Sequence, residues 1–160
     1  HMPLQALMLW RGGLVFYGGL IGAIVGCVAF VLWQKLDPWE WADTAAPSVC
    51  IGHAIGRFGC FLNGCCGGKN GFPTQPVMFA AELGLFFFLR RFQRRQRYDG
   101  QTFWTGVWAY SAYRFGIELL RTNPGAAWGM TAAQLISLAG LALATCMLLY
   151  YGRSAQPRHA

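Results

Sequence analysis

The sequence predicts an all-α integral membrane protein, a bundle of about five transmembrane helices around a polar cavity. Three observations predict it. The 160 residues are 55% apolar and only 12% charged, where soluble domains carry about 25% charged residues. Long apolar stretches alternate with short polar loops, and the 21 glycines and 16% aromatic residues suit helices packed in a bilayer. Finally, residues 52–68, GHAIGRFGCFLNGCCGG, are built like a membrane helix yet carry His53, Arg57, Cys60 and Asn63. One domain is expected over residues 3–152, with a cytoplasmic tail at 153–160; His1-Met2 is expected to be a cloning scar.

Residues 3–12 form an interfacial approach, with Trp10 and Arg11 at headgroup level. The first span is expected over 13–33. Its Gly18, Gly22 and Gly26 repeat every four residues, a small-residue ridge. On composition alone Tyr17 is an interfacial aromatic. Residues 34–40 are a polar loop flanked by the anchors Trp39 and Trp41. The second span covers 41–63, with Pro47 a candidate kink. A glycine-rich turn occupies 65–72, and the third span covers 73–89. The run RRFQRRQRYDG, 90–100, is too polar to cross and ends in an Asp-Gly turn. The fourth span covers 102–120 and the fifth 128–151.

The charge of +7 does not read as nucleic-acid binding, because most of the arginines sit in loops between apolar spans. Lys35, Arg90, Arg91, Arg94, Arg95, Arg97, Arg153 and Arg158 collect on one side, against Arg11, Lys69 and Arg121 on the other. The positive-inside rule then puts the carboxyl terminus in the cytoplasm and the amino terminus outside. The expected location is a bacterial cytoplasmic (inner) membrane, crossed several times, with the site toward the outer leaflet.

The candidate site follows from cost. On a helix, Asp43, Cys50, His53, Arg57, Cys60 and Gly64 form one stripe. An arginine at the centre of a membrane helix costs about 2.5–3.5 kcal/mol, so a charged stripe marks a functional interior. Tyr110, Arg114, Glu118 and Arg121 form a second stripe, in which Arg114 and Glu118 can pair. Gln75 and Glu82 share a face of the third span; Glu82 is expected to meet an arginine or a hydrated cavity. Two converging arginines suit a phosphate, which guanidinium binds bidentately. An anionic phospholipid headgroup is the natural ligand. No cofactor is expected.

Six motifs in order, WRGGLVFYGGLIG (10–22), GHAIGRFGCFLNG (52–64), PTQ (73–75), YDGQ (98–101), YSAYRFGIELLR (110–121) and GMTAAQLISL (129–138), resemble the bacterial prolipoprotein diacylglyceryl transferase family. The resemblance implies transfer of a diacylglyceryl group from phosphatidylglycerol to the thiol of a lipobox-bearing prolipoprotein or another thiol acceptor. A thioether forms and glycerol 1-phosphate leaves. It implies catalytic roles for Arg57, Arg114, Tyr17 and Glu118. It implies substrate binding by Gly18, Gly19, Asn63, Gln75, Tyr110, Arg121 and Gln134.

The chain departs from the family pattern in several places. Tyr17 stands where the family often has a histidine considered a proton acceptor. Cys60 and Cys65 replace an asparagine and a glutamate, and Pro76-Val77-Met78 follows PTQ where a carboxylate is usual. The family's first two spans have no counterpart. Two rival readings remain: a catalytically reduced lipid-binding bundle of the same fold, and a metal or thiol-redox site at His53, Cys60, Cys65 and Cys66. Homo-oligomerisation is left open.

Overall fold

The computed structural model describes residues 14–64, 68, 73–120 and 130–154, without the side chains of 14–21 and 154. The described residues form five helices: α1 Leu14–Trp33, α2 Pro38–Leu62, α3 Thr74–Gln93, α4 Gln101–Leu119 and α5 Ala132–Ser154. The expected spans and the observed helices coincide in number and order. The chain divides into two compact units, His1–Trp41 and Ala42–Ala160.

In the first unit, α1 is an uncharged apolar helix. Ile24, Val25, Val28 and Leu32 are exposed along it, as lipid-facing side chains would be.

In the second unit the usual order of inside and outside is reversed. Asp43, Gln75, Glu82, Ser111, Glu118 and Gln134 are buried, while Val49, Ile55, Phe87, Trp108, Ile136 and Leu143 are exposed. Polar groups turned inward and apolar groups outward fit a hydrocarbon solvent. Among the described residues, α2 and α5 each carry a stretch long and apolar enough to cross a membrane. The charges of α3 and α4 explain their shortfall, because Glu82, Arg114 and Glu118 point into the bundle rather than at lipid.

Packing is closest between α4 and α5, followed by α3 and α4. A methyl group added at Gly140 would stand 2.6 Å from Ser111 Oγ. A side chain there would have to displace the Ser111 hydroxyl, so the glycine eases the approach of α5 to α4. Ala46, Cys50, Leu85 and Leu89 make a small apolar core, against which Phe86, Phe103, Ala109, Tyr110 and Tyr113 pack.

Three details differ from expectation. First, α3 continues past residue 89 to Gln93. Arg90 and Arg91 are exposed on this last turn, where cations favour the helix C-terminus and long stems reach outward. Second, α5 starts at Ala132 rather than 128. Thr131 Oγ1 accepts from the Gln134 N–H at 3.3 Å, and Gln134 Oε1 accepts from the Thr131 N–H at 2.9 Å. This is a reciprocal capping box, legible as T-x-x-Q.

Third, α2 begins at Pro38 rather than 41, and it continues through Pro47 without a break. Proline has no N–H to give the carbonyl of Asp43, four residues earlier. Gln93 Nε2 donates to that carbonyl at 3.4 Å. The freed backbone group is thus used to tie the end of α3 to α2.

Candidate functional site

Asp43 opens the α2 stripe but serves another purpose. Its Oδ2 accepts from the Gly100 N–H and its Oδ1 from the Phe103 N–H, both at 2.7 Å. Gly100 is the N-cap of α4, with φ +87°, and has no side chain to cap with. Asp43 supplies the carboxylate from another helix, where the helix dipole also favours it.

The loop before α4 is held the same way. Tyr98 donates to the Leu148 carbonyl at 3.3 Å and stacks on Tyr151. Burial and the charge of Asp43 push its phenol above the ordinary tyrosine range. The YDGQ segment therefore locks α2, α4 and α5 together.

About three and four turns further along α2 stand His53 and Arg57. His53 Nδ1 lies 2.5 Å from Glu82 Oε1 of α3. The Tyr113 hydroxyl of α4 donates to the same oxygen. Arg57 donates to His53 Nε2, from Nε at 3.3 Å and from Nη2 at 3.1 Å. Glu82 is 1% exposed, and its Oε2 has no hydrogen-bond partner among the described residues. So Glu82 meets its arginine through an imidazole rather than directly.

The second arginine completes the cluster. Arg114 Nη1 lies 2.6 Å from Glu118 Oε2, with side chains 14% and 1% exposed. The expected i, i+4 pair is present and buried. Tyr110 stands one helical turn before Arg114 on α4. Its ring meets His53 edge-on at 5.7 Å and Tyr113 at 5.3 Å. Arg57 thus reaches Tyr110 only through the His53 ring, and Arg114 stands one turn beyond Tyr110 on α4. Such a group of cations and donors in a polar interior can hold a phosphate.

The other expected site residues are distributed as follows. Gln75 is buried in the first turn of α3. Asn63 is exposed just after α2, its N–H bonded to the Gly59 carbonyl at 3.0 Å, and Gly64 follows with φ +64°. That is the left-handed turn that ends many helices. Gln134 is buried with its side-chain oxygen spent in the α5 cap. Tyr17, Gly18 and Gly19 lie on α1, but their side-chain positions fall outside the described set, as do Arg121, Cys65 and Cys66. Of the residues in the metal reading, His53 has both ring nitrogens engaged. Among the described residues no group of three His, Cys, Asp or Glu gathers around a metal position.

Sequence reasoning missed the His53–Glu82 pair and Tyr113. The signal for Tyr113 was its place three residues after Tyr110, on an adjoining face.

The family model for prolipoprotein diacylglyceryl transferase matches residues 1–150. The chain belongs to the prolipoprotein diacylglyceryl transferase family. Relatives in this family carry the name phosphatidylglycerol–prolipoprotein diacylglyceryl transferase. One from Dehalococcoides mccartyi is 32% identical over 162 residues, covering 88% of this chain and 62% of the relative. One from Geobacter sulfurreducens is 32% identical over 173 residues, covering 94% and 66%. One from Listeria welshimeri is 31% identical over 172 residues, covering 91% and 62%. The chain therefore spans a little under two thirds of the length of these relatives.

Proposed function

We propose that the protein transfers a diacylglyceryl group from phosphatidylglycerol to a cysteine thiol, of a lipobox-bearing prolipoprotein or a similar acceptor. The observation that carries this is the Arg57–His53–Glu82 cluster and the Arg114–Glu118 pair, linked through the Tyr110 ring, inside an outwardly apolar bundle. The names of the relatives supply the reaction.

In this reading both guanidinium groups hold the lipid phosphate. The thiol sulfur bonds to the glyceryl carbon, and the carbon–oxygen bond to the phosphate breaks. The electron pair leaves on the phosphate, where the arginines stabilise the charge as it grows. Glu118 orients Arg114. Gln75, Asn63, Tyr110, Arg121, Gln134 and the Tyr17-Gly18-Gly19 segment contribute to lipid or acceptor binding. The site faces the outer leaflet, with the carboxyl terminus cytoplasmic.

Met78 favours a second reading. It is apolar and 2% exposed where the family resemblance implies a carboxylate, which suits a lipid-binding bundle with reduced activity. One experiment separates the two. The protein in phosphatidylglycerol nanodiscs is given a lipobox peptide, and release of glycerol phosphate and formation of the thioether are measured. Both products support the transferase. Lipid binding without either supports the reduced bundle, and no binding removes both readings.

A further inference from the structure

We propose that His53 takes the proton of the acceptor thiol, and that it becomes available when a phosphate draws Arg57 away. This rests on the transferase reading.

The argument begins with hydrogen-bond capacity. Arginine only donates, so His53 Nε2 must present a lone pair to the two Arg57 N–H groups. A carboxylate only accepts, so Nδ1 carries the hydrogen given to Glu82 Oε1. The partners on the two sides of the ring fix one neutral tautomer, with its basic nitrogen turned toward the guanidinium. An imidazole base oriented by a third group, often a buried acid, is a recurring arrangement for activating a nucleophile.

The ionisable and charged groups nearest His53 are Cys50 and Arg57 of α2, Glu82 of α3, and Tyr110 and Tyr113 of α4. Glu82 is stripped of water, and its Oε2 lacks a donor among the described residues. A carboxylate short of donors stabilises an imidazolium beside it more strongly than a well-solvated one. The incomplete satisfaction of Glu82 thus has a use. Among the described residues His53 is the one imidazole, and residue 17 is a tyrosine.

Before lipid arrives, Arg57 occupies the Nε2 lone pair. A phosphate offers Arg57 two anionic oxygens, a better match for its fork of donors than one imidazole nitrogen. As Arg57 turns to the phosphate, Nε2 is freed and the local positive charge is offset. The S–H bond of the acceptor then breaks with its proton going to Nε2. The sulfur pair forms the bond to the glyceryl carbon, and the carbon–oxygen pair leaves on the phosphate. The proton on His53 passes to that departing phosphate, which restores the neutral ring. No oxidant, reductant or further reactant is needed.

The test uses the full chain in nanodiscs with a lipobox peptide as acceptor. His53→Gln keeps a polar side chain of similar reach and guards against misfolding; His53→Gly opens space for added imidazole. Glycerol phosphate release should fall by about a hundredfold in both, the usual scale of a lost general base. Phosphatidylglycerol binding should persist, and imidazole should restore release in His53→Gly alone. Nitrogen-15 spectra of wild-type histidine should show an unprotonated Nε2 whose signal moves when phosphatidylglycerol replaces a zwitterionic lipid.

Release by His53→Gln equal to wild type would overturn the base while leaving the transferase intact. An Nε2 signal indifferent to phosphatidylglycerol would overturn the release by phosphate. A wild type that releases no glycerol phosphate would overturn the transferase reading, and the base with it.

Discussion

Two polar clusters on α2 teach different things, although one helical stripe joins them. The cluster at Asp43 is closed. Its carboxylate oxygens are taken by Gly100 and Phe103 and its carbonyl by Gln93. The cluster at His53 and Arg57 is open. It joins Arg57, an imidazole and two tyrosines, with Arg114 one turn from Tyr110, and leaves Glu82 Oε2 without a partner among the described residues. Buried polar groups with every atom satisfied hold a fold together, and unfinished ones point to a ligand. Asp43 thus serves the scaffold, and it is to His53 and Arg57 that the proposed function assigns the site.

The sharpest challenge to this division is Arg114. It belongs to the open cluster, yet it also neutralises a buried carboxylate. Removing one member of a buried ion pair costs about 3–5 kcal/mol. Arg114→Ala should therefore lower the thermal midpoint strongly, and Glu118→Gln added to it should recover most of the loss. A melt unchanged by Arg114→Ala would mean the pair is solvated after all. Asp43→Ala comes next. It should cost about 2 kcal/mol, the upper range for a lost helix cap, with lipid binding per folded molecule unchanged. If it removed lipid binding from protein that still melted normally, Asp43 would belong to the site. The smallest effect is expected at Gly140→Ala, about 1–2 kcal/mol from overpacking against Ser111. Ser111→Gly in the same molecule should relieve it, as comparative melts would show.

The spans, their order and the Arg114–Glu118 pair were legible in the sequence, because apolar length and i, i+4 spacing are local properties. The division of the α2 stripe was not. Spacing by seven, three and four places Asp43, Cys50, His53 and Arg57 on one face, but not at one depth. What separates them is the element each one meets: the start of α4 for Asp43, the middle of α3 and α4 for His53. The partner of Glu82 was hidden for the same reason, since an interhelical bond 29 residues apart in sequence has no periodicity. The α5 cap was missed although its signal is local: Thr131 and Gln134 are three apart, yet the expected span began at 128.

Arg57 offers the most direct test of the open cluster, because its described partner is a neutral ring and not a buried acid. Arg57→Ala is compared with wild type for phosphatidylglycerol binding in nanodiscs, with a thermal melt on the same samples. Charge-assisted bonds to phosphate are worth about 1.5–3 kcal/mol each, so affinity should weaken by about tenfold or more while the melt barely moves. Arg57→Lys should recover only part, having lost the bidentate fork. Alanine-substituted protein that folds and binds phosphatidylglycerol as tightly as wild type would contradict the account.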